Sequence, residues 1–414
     1  MICVLVVAAG ASWEAAVLGS VAGHRDLAVL KRCVDIDDLL ASAAAGQADA
    51  AVISVDAPGL DATSVDQLRR QQVRPIGVVD PGPAGDQGRA HANRIGIQAI
   101  VETDALAHLP AVLLDDDPDP PRSIAADDLA ETGGAEDGPV ITVWGAQGAP
   151  GRTTIASAIA AEVAHRTGAT TLVDADPYGG AVAQQLGVLD EVSGLLAAAR
   201  LASTGSLAER VAGVPRDVGG GLAVVTGLPR ADRWVEMRPG ALETLLEALR
   251  PRGPVVVDTG FCLEPDPSAE LAGRPSRNGL TLAALGTADQ VVVVGAPDPV
   301  GLSRLARGLV DLRESVGPRS VWVVVNRQRA SLGWSEADVI SMVRGFGRVA
   351  EVYFFPDDPI VDRALVSGRT IVEVGDSPLR QAVGRLVTDL VPPSQASANG
   401  RRIKRRAAGR GRRG

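Results

Sequence analysis

A chain of 414 residues, 46% hydrophobic and with a formal net charge of -9, has room for two or three domains with ample cores. Only 3% of it is aromatic, so Ala, Val, Leu and Gly must fill the interior, as in α/β proteins with parallel sheets. Cys3, Cys33 and Cys262 stand too far apart for a metal motif or a disulfide framework, and no apolar run reaches the roughly 18 residues of a membrane-spanning helix. A reducing cytoplasm is the expected setting.

Residues 1–115 alternate strand and helix patterns. Strands are expected over 2–8, 27–34, 50–55, 75–79 and 99–101, and helices over 14–21, 37–45, 65–72 and 86–94. That alternation implies a doubly wound parallel sheet, in α/β, flavodoxin-like style. The phrase Asp49-Ala-Ala-Val-Ile-Ser54-Val-Asp-Ala-Pro58-Gly-Leu-Asp61 resembles the response-regulator receiver domain. In that family the phosphorylated aspartate lies four residues before the proline, where this chain has Ser54. The magnesium-binding acidic pair maps to Ala8 and Ala9, and the family lysine maps near Thr103. Asp56 is expected on the Ser54 side of a strand and is the carboxylate placed to substitute for it. The resemblance therefore implies a pseudo-receiver without a phosphoryl acceptor, used to dock a partner.

Residues 116–138 are rich in acid and proline and poor in large apolar side chains, so a disordered linker is expected. The next unit, 139–391, opens on an apolar run, Val140 to Trp144. It is followed by Gly145-Ala-Gln-Gly-Ala-Pro-Gly-Arg-Thr-Thr154 and an Ala-rich helical stretch. Strand, glycine loop and helix is the arrangement that surrounds phosphate with backbone N–H groups and a helix N-terminus. Further on, Thr170-Thr-Leu-Val-Asp174-Ala-Asp176-Pro177 brings two carboxylates to a strand end. Such a pair can hold a magnesium-bound water, or it can simply turn the chain. Pro254-Val-Val-Val-Asp258-Thr-Gly260 ends a second buried strand in the same manner. Strands are also expected over 221–226, 290–294, 321–325 and 349–355, with helices over 193–201, 207–211, 241–249, 299–316, 337–343 and 379–390. A mainly parallel central sheet follows.

The loop, Asp174-x-Asp176, Asp258-Thr-Gly260 and Asn326-Arg327, in this order, resemble the ParA/MinD family of deviant Walker A P-loop ATPases. With a receiver-like unit ahead of it, the pattern is most similar to the CpaE/TadZ branch and related septum-site-determining proteins. The resemblance implies a P-loop NTPase fold, ATP and Mg²⁺ as cofactors, and a homodimer. Its implied role is positioning division or Tad-type pilus machinery, with a pilus secretion ATPase or division protein as partner. Gly148, Ala149, Pro150, Gly151, Arg152, Thr153 and Thr154 would cradle the phosphates, with Thr153 and Asp258 serving the magnesium ion. Asp174 and Asp176 would be the catalytic pair, Asp176 orienting water. Asn326, Arg327, Pro356 and Asp357 would surround the adenine.

The family loop reads K-G-G-x-G-K-T. Its signature lysine maps to Gln147 and its second lysine to Arg152, and Pro150 lacks an N–H. Only Lys31 and Lys404 occur in the whole chain. The resemblance with these departures implies nucleotide binding with weak or absent hydrolysis. A pseudo-ATPase scaffold that needs no nucleotide is the alternative. Residues 392–414 end in a basic stretch, 401–414, with eight Arg/Lys and no acid. With Ile403 as its one large apolar side chain, this tail suits anionic lipid or DNA contact by charge rather than insertion. A DNA-partitioning ATPase using the tail is the third reading.

Overall fold

The computed structural model describes residues 1–8, 10–114, 137–149, 151–188, 192–266, 276–329, 331, 333 and 335–392. Ala9, Pro150, the expected linker apart from its last two residues, and the expected tail beyond residue 392 lie outside them.

The first sheet contains β1 (Ile2–Val7), β2 (Leu27–Arg32), β3 (Ala50–Ser54), β4 (Arg74–Val79) and β5 (Ala99–Glu102), in the order β2-β1-β3-β4-β5. Every pairing in it is parallel. Helices Glu14–Ala22 and Leu109–Leu114 cover one face, and Ile36–Ala43, Ala62–Arg70 and Pro83–Arg94 cover the other. β3 is apolar at every position before Ser54 and buried throughout, as expected of a central strand covered on both sides. Asp35 and Asp61 cap the two helices that follow them. The Asp61 cap is a reciprocal box with Ser64, so the start of each helix is written locally.

The second sheet has eight strands: β6 (Val140–Trp144), β7 (Thr170–Ala175), β8 (Arg216–Gly219), β9 (Leu222–Val225), β10 (Val255–Thr259), β11 (Gln290–Gly295), β12 (Val321–Gln328) and β13 (Val349–Pro356). Their order is β13-β12-β11-β6-β10-β7-β9-β8. Only β8 runs antiparallel, as the outer strand of a tight hairpin with β9. β6 lies between β10 and β11, and the chain leaves it for β7 on one side and later returns to β11 on the other. The loop after β6 therefore sits at the point where strand order reverses, where open α/β sheets form their crevices.

Helix Arg152–Thr167 follows that loop and is buried from Ile155 through Ala164. Five of those ten positions are alanine, which lets the helix approach the sheet closely. Opposite it, helices Gly194–Ser203, Pro239–Leu249 and Gly279–Thr287 share a Leu-rich cluster with Val173, Val255 and Val257. No helix among the described residues is long and apolar enough to cross a membrane.

Candidate functional site

β6 delivers the chain into the loop with its last residues buried, so the turn begins at a fixed height above the sheet. Gly148 and Gly151 have φ of +79° and +84°, a region that side chains with a Cβ rarely enter. Gly151 also stands where a Cβ would lie 2.7 Å from Asn326 Nδ2. Ala149 N–H donates to Ala146 O and tightens the loop, and Ile155 N–H donates to Gly151 O as the helix starts. Thr153 and Thr154 fall in the first helical turn, where N–H groups have no partner within the helix.

Arg152 does not reach into the loop. Its Nη1 donates to Gly145 O at 2.8 Å, Nη2 lies 3.9 Å from Asp176 Oδ2, and Cζ is 5.8 Å from the Phe261 ring centre. The guanidinium is folded against the base of the loop, half-satisfied by the backbone. A second arginine lies beside the loop: Arg304, on helix Pro299–Val316, packs its guanidinium over Gly148, with Cζ 3.2 Å from where a Cβ would stand.

β7 and β10 pair in register so that Asp174 and Asp258 are direct neighbours. Both are buried, and their hydrogen bonding differs. Asp174 accepts from Asp176 N–H at 3.3 Å and Val182 N–H at 3.1 Å. Gly180 and Gly227 enclose it so closely that a Cβ at either would strike the carboxylate. Burial raises its pKa to about 7, against the pull of those two N–H groups. The sequence expectation of a catalytic Asp174 meets a different geometry: its oxygens brace the 176–182 turn. Asp258 is fully buried, and its oxygens make no well-formed hydrogen bond; the Thr153 hydroxyl is the donor that stands beside them. Burial, and then the charge of Asp174, hold its carboxyl well above the usual range, while Thr153 and Arg152 act in the opposite sense.

Unpartnered buried carboxylate oxygens are costly, and a cation or a proton is what relieves them. The residues fit magnesium on that ground: Asp258 offers free oxygens beside Thr153. Among the described residues no set of three His, Cys, Asp or Glu can hold a metal unaided, so such an ion needs phosphate oxygens or water as further ligands.

Asp176 lies just past β7, and its Oδ1 accepts from Tyr178 N–H at 2.8 Å. At the end of β10, a Cβ on Gly260 would stand 3.2 Å from Asp176 Oδ1 and 3.0 Å from Pro177 Cδ. The two strand ends thus meet above the loop. Across the helix N-terminus, a cavity of about 340 Å³ is lined by Gly151, Thr154, Asn326, Arg327, Pro356 and Asp357, joined by Asp358 and Asp362. Arg327 holds φ +58°, unusual for a residue with a side chain. Six of the residues expected at the nucleotide therefore line one cavity, although nearly 30 residues separate Asn326 from Pro356 and far more separate both from the loop. Pro150 lies outside the described residues.

Sequence reasoning missed Arg304, Phe261, Tyr178, Asn278, Asp358 and Asp362. Tyr178, Phe261 and Asp358 had a signal, since each directly follows a motif already singled out (Asp-x-Asp-Pro, Asp-Thr-Gly and Pro356-Asp357); Arg304, Asn278 and Asp362 come from stretches that carry no motif.

In the N-terminal unit Ser54 and Ala8 are buried, and Asp56 is exposed on the turn after β3. Asp56 therefore does not share the Ser54 side of the strand, because the strand has already ended.

No protein-family model matches the chain, and no curated protein matches it. Among solved structures it is similar to the cell division ATPase MinD of Pyrococcus furiosus, at 16% identity over 61% of this chain and 98% of that one, with a TM-score of 0.49. It is similar to a ParA family ATPase from Chlorobium tepidum TLS at 14% identity, with the same coverages and TM-score. The septum site-determining protein MinD from Pyrococcus horikoshii OT3, complexed with Mg-ADP, is 16% identical over 61% of this chain and 96% of that one, with a TM-score of 0.48.

Proposed function

We propose that the chain is a magnesium–nucleotide-binding protein of the ParA/MinD type, with weak or absent ATP hydrolysis, that works by positioning other machinery. The observation that carries this reading is Asp258. A fully buried carboxylate whose oxygens make no well-formed hydrogen bond sits beside the Thr153 hydroxyl, under a glycine loop at a helix N-terminus. Packing alone gives no reason to keep it.

In this reading the first-turn N–H groups of the helix and the loop bind phosphate, and Thr153 and Asp258 hold the magnesium ion. Bound there, magnesium would neutralise phosphate charge. Asp174 keeps the 176–182 turn closed, and Asp176 orients water. Asn326, Arg327, Pro356 and Asp357 hold the base, which the shared cavity supports. Hydrolysis is weak because Gln147 carries no charge and Arg152 is engaged with Gly145 O. Arginine-type groups at the transferred phosphate contribute roughly 10³–10⁵ in rate where they act. Association into a homodimer, partner docking through a receiver-like N-terminal unit, a cytoplasmic or septum- or pole-associated setting, and charge contact of the tail with lipid or DNA belong to the same proposal. The strand order β2-β1-β3-β4-β5 and the absence of carboxylate at Ala8 and Ser54 support the pseudo-receiver part.

The engaged Arg152 favours one rival, a scaffold that needs no nucleotide. Calorimetry of ATP and ADP with Mg²⁺ on the full chain separates the two. Micromolar ATP binding, lost in Asp258→Ala, is the expected result. No binding up to millimolar nucleotide leaves the scaffold.

A further inference from the structure

The two units meet at a cleft of about 340 Å³. On one side are the starts of helices Ile36–Ala43 and Ala62–Arg70; on the other are helix Gly194–Ser203 and the start of Pro239–Leu249. Arg238 Nη2 pairs with Asp37 Oδ1 at 2.6 Å across it. The close contact is made by Asp61. Its carboxylate caps its own helix through Ser64 N–H at 2.7 Å and also accepts from the backbone N–H of Gly240 in the other unit. A Cβ at residue 240 would collide with the Asp61 side chain, so the contact exists only with glycine there.

From Gly240 the packing continues without a gap. Helices Pro239–Leu249 and Gly279–Thr287 share the Leu242, Leu245, Leu246, Leu280 and Ala284 cluster. Their first turns touch where Pro239 Cγ lies 2.8 Å from the place of a Gly279 Cβ. The residue before that helix is Asn278, which is buried and whose amide is fully used. Its Oδ1 accepts the Tyr178 hydroxyl at 2.6 Å, and its Nδ2 donates to Glu264 O at 2.7 Å. Tyr178 stacks on Phe261 at 4.8 Å and lies under Arg277 at 4.1 Å, and its N–H holds Asp176 Oδ1. Close-packed interiors pass displacement along such contacts.

We propose that Asn278 is a positioning residue for the Asp176 turn and that the N-terminal unit controls it by seating Asp61 on the first turn of helix Pro239–Leu249. Docking of the first unit braces Pro239 against Gly279, and Asn278 then holds Tyr178. When the seam opens, the 176–182 turn loosens. The consequence for ATP rests on the nucleotide-site reading; the mechanical coupling does not.

Residue-resolved backbone hydrogen exchange on the full chain tests the coupling. Asn278→Ala is expected to speed exchange at the Tyr178 and Val182 N–H groups by about tenfold, the scale of one lost hydrogen bond, while Val143 and Val257 in the sheet keep their rates. Tyr178→Phe, which removes the hydroxyl that Asn278 accepts and leaves the Asn278 amide on Glu264 O in place, gives the same acceleration at residue 178 and Val182. Gly240→Ala drives Asp61 away and should give the same acceleration from the seam; Asp61→Ser in the same chain makes room and reverses it. Faster exchange at Ser64 with no change at Tyr178 and Val182 overturns the proposal. An Asn278→Ala chain whose turn exchanges at the wild-type rate overturns it too, as does equal acceleration at Val143 and Val257. None of these readouts uses nucleotide, so a wild-type chain that fails to bind ATP removes the nucleotide reading while the exchange rates decide this one.

Discussion

Asp258 and Asp174 are register partners on adjacent strands, and their hydrogen bonds give them opposite tasks. Asp174 has its oxygens filled by Asp176 and Val182 N–H groups, whereas Asp258 has no well-formed hydrogen bond and only the Thr153 hydroxyl beside it. Removing the Asp258 charge should therefore not destabilise the ligand-free chain. Asp258→Asn is expected to keep or raise the thermal midpoint without ligand. It should abolish the increment from Mg-ATP, which at a hundredfold excess over Kd is about 2.7 kcal/mol. A thermal melt with and without Mg-ATP checks both halves. Arg304 is the second residue with a measurable role. Its guanidinium over Gly148 brings to the loop a positive charge that Gln147 does not supply. Arg304→Ala is expected to weaken ATP roughly tenfold and ADP less, with Arg304→Lys intermediate, as titration calorimetry would show.

At the scale of elements, the glycine loop and the end of β12 depend on each other. Gly151 must be left-handed to turn into helix Arg152–Thr167, and its missing Cβ leaves room for Asn326 Nδ2. Gly151→Ala therefore carries two costs: about 1–2 kcal/mol for the backbone conformation, and displacement of Asn326 from the base cavity. The expected outcome is a lower thermal midpoint together with loss of nucleotide binding. Denaturation and calorimetry on the same preparation check it. The helices around the site start where the sequence says. Asp298 caps Pro299–Val316, Ser377 caps Pro378–Leu390, and both are followed by proline at the first helical position.

At the scale of the whole molecule, the seam is pH-sensitive through Asp61. Burial raises its pKa above the ordinary 3.8, with Ser64, Arg238 and Gly240 opposing. The folded protein then holds a proton that the unfolded chain has already released. Stability contributed at this site is therefore greatest at low pH and falls as pH rises from about 4 through the raised value. Asp61→Asn should flatten that part of the stability–pH curve, measured by urea denaturation across the range.

Much of the fold follows from local pattern. The valine-rich runs of β6, β10 and β11 fit strands covered on both faces, and glycine, Asp-x-Asp and Asp-Thr-Gly at strand ends place the loop chemistry on one edge of one sheet. Other parts were not legible. Helix Gly279–Thr287 is apolar on every side and has no helical period to read, and the β8–β9 hairpin turns on a run of glycines that looks like a loop. The sequence by itself determined the alternating architecture, the phosphate loop and the departures Gln147 and Arg152, because these are properties of short stretches. Tertiary structure alone decided which carboxylate stays open, where Arg152 and Arg304 point, and that Asp61 reaches the Pro239–Leu249 helix. Asp174 and Arg152 find their partners within a short stretch, but only the folded turn aims those groups at each other; Arg304 meets Gly148, and Asp61 meets Gly240, from more than a hundred positions away, and such meetings leave no mark in the chain itself.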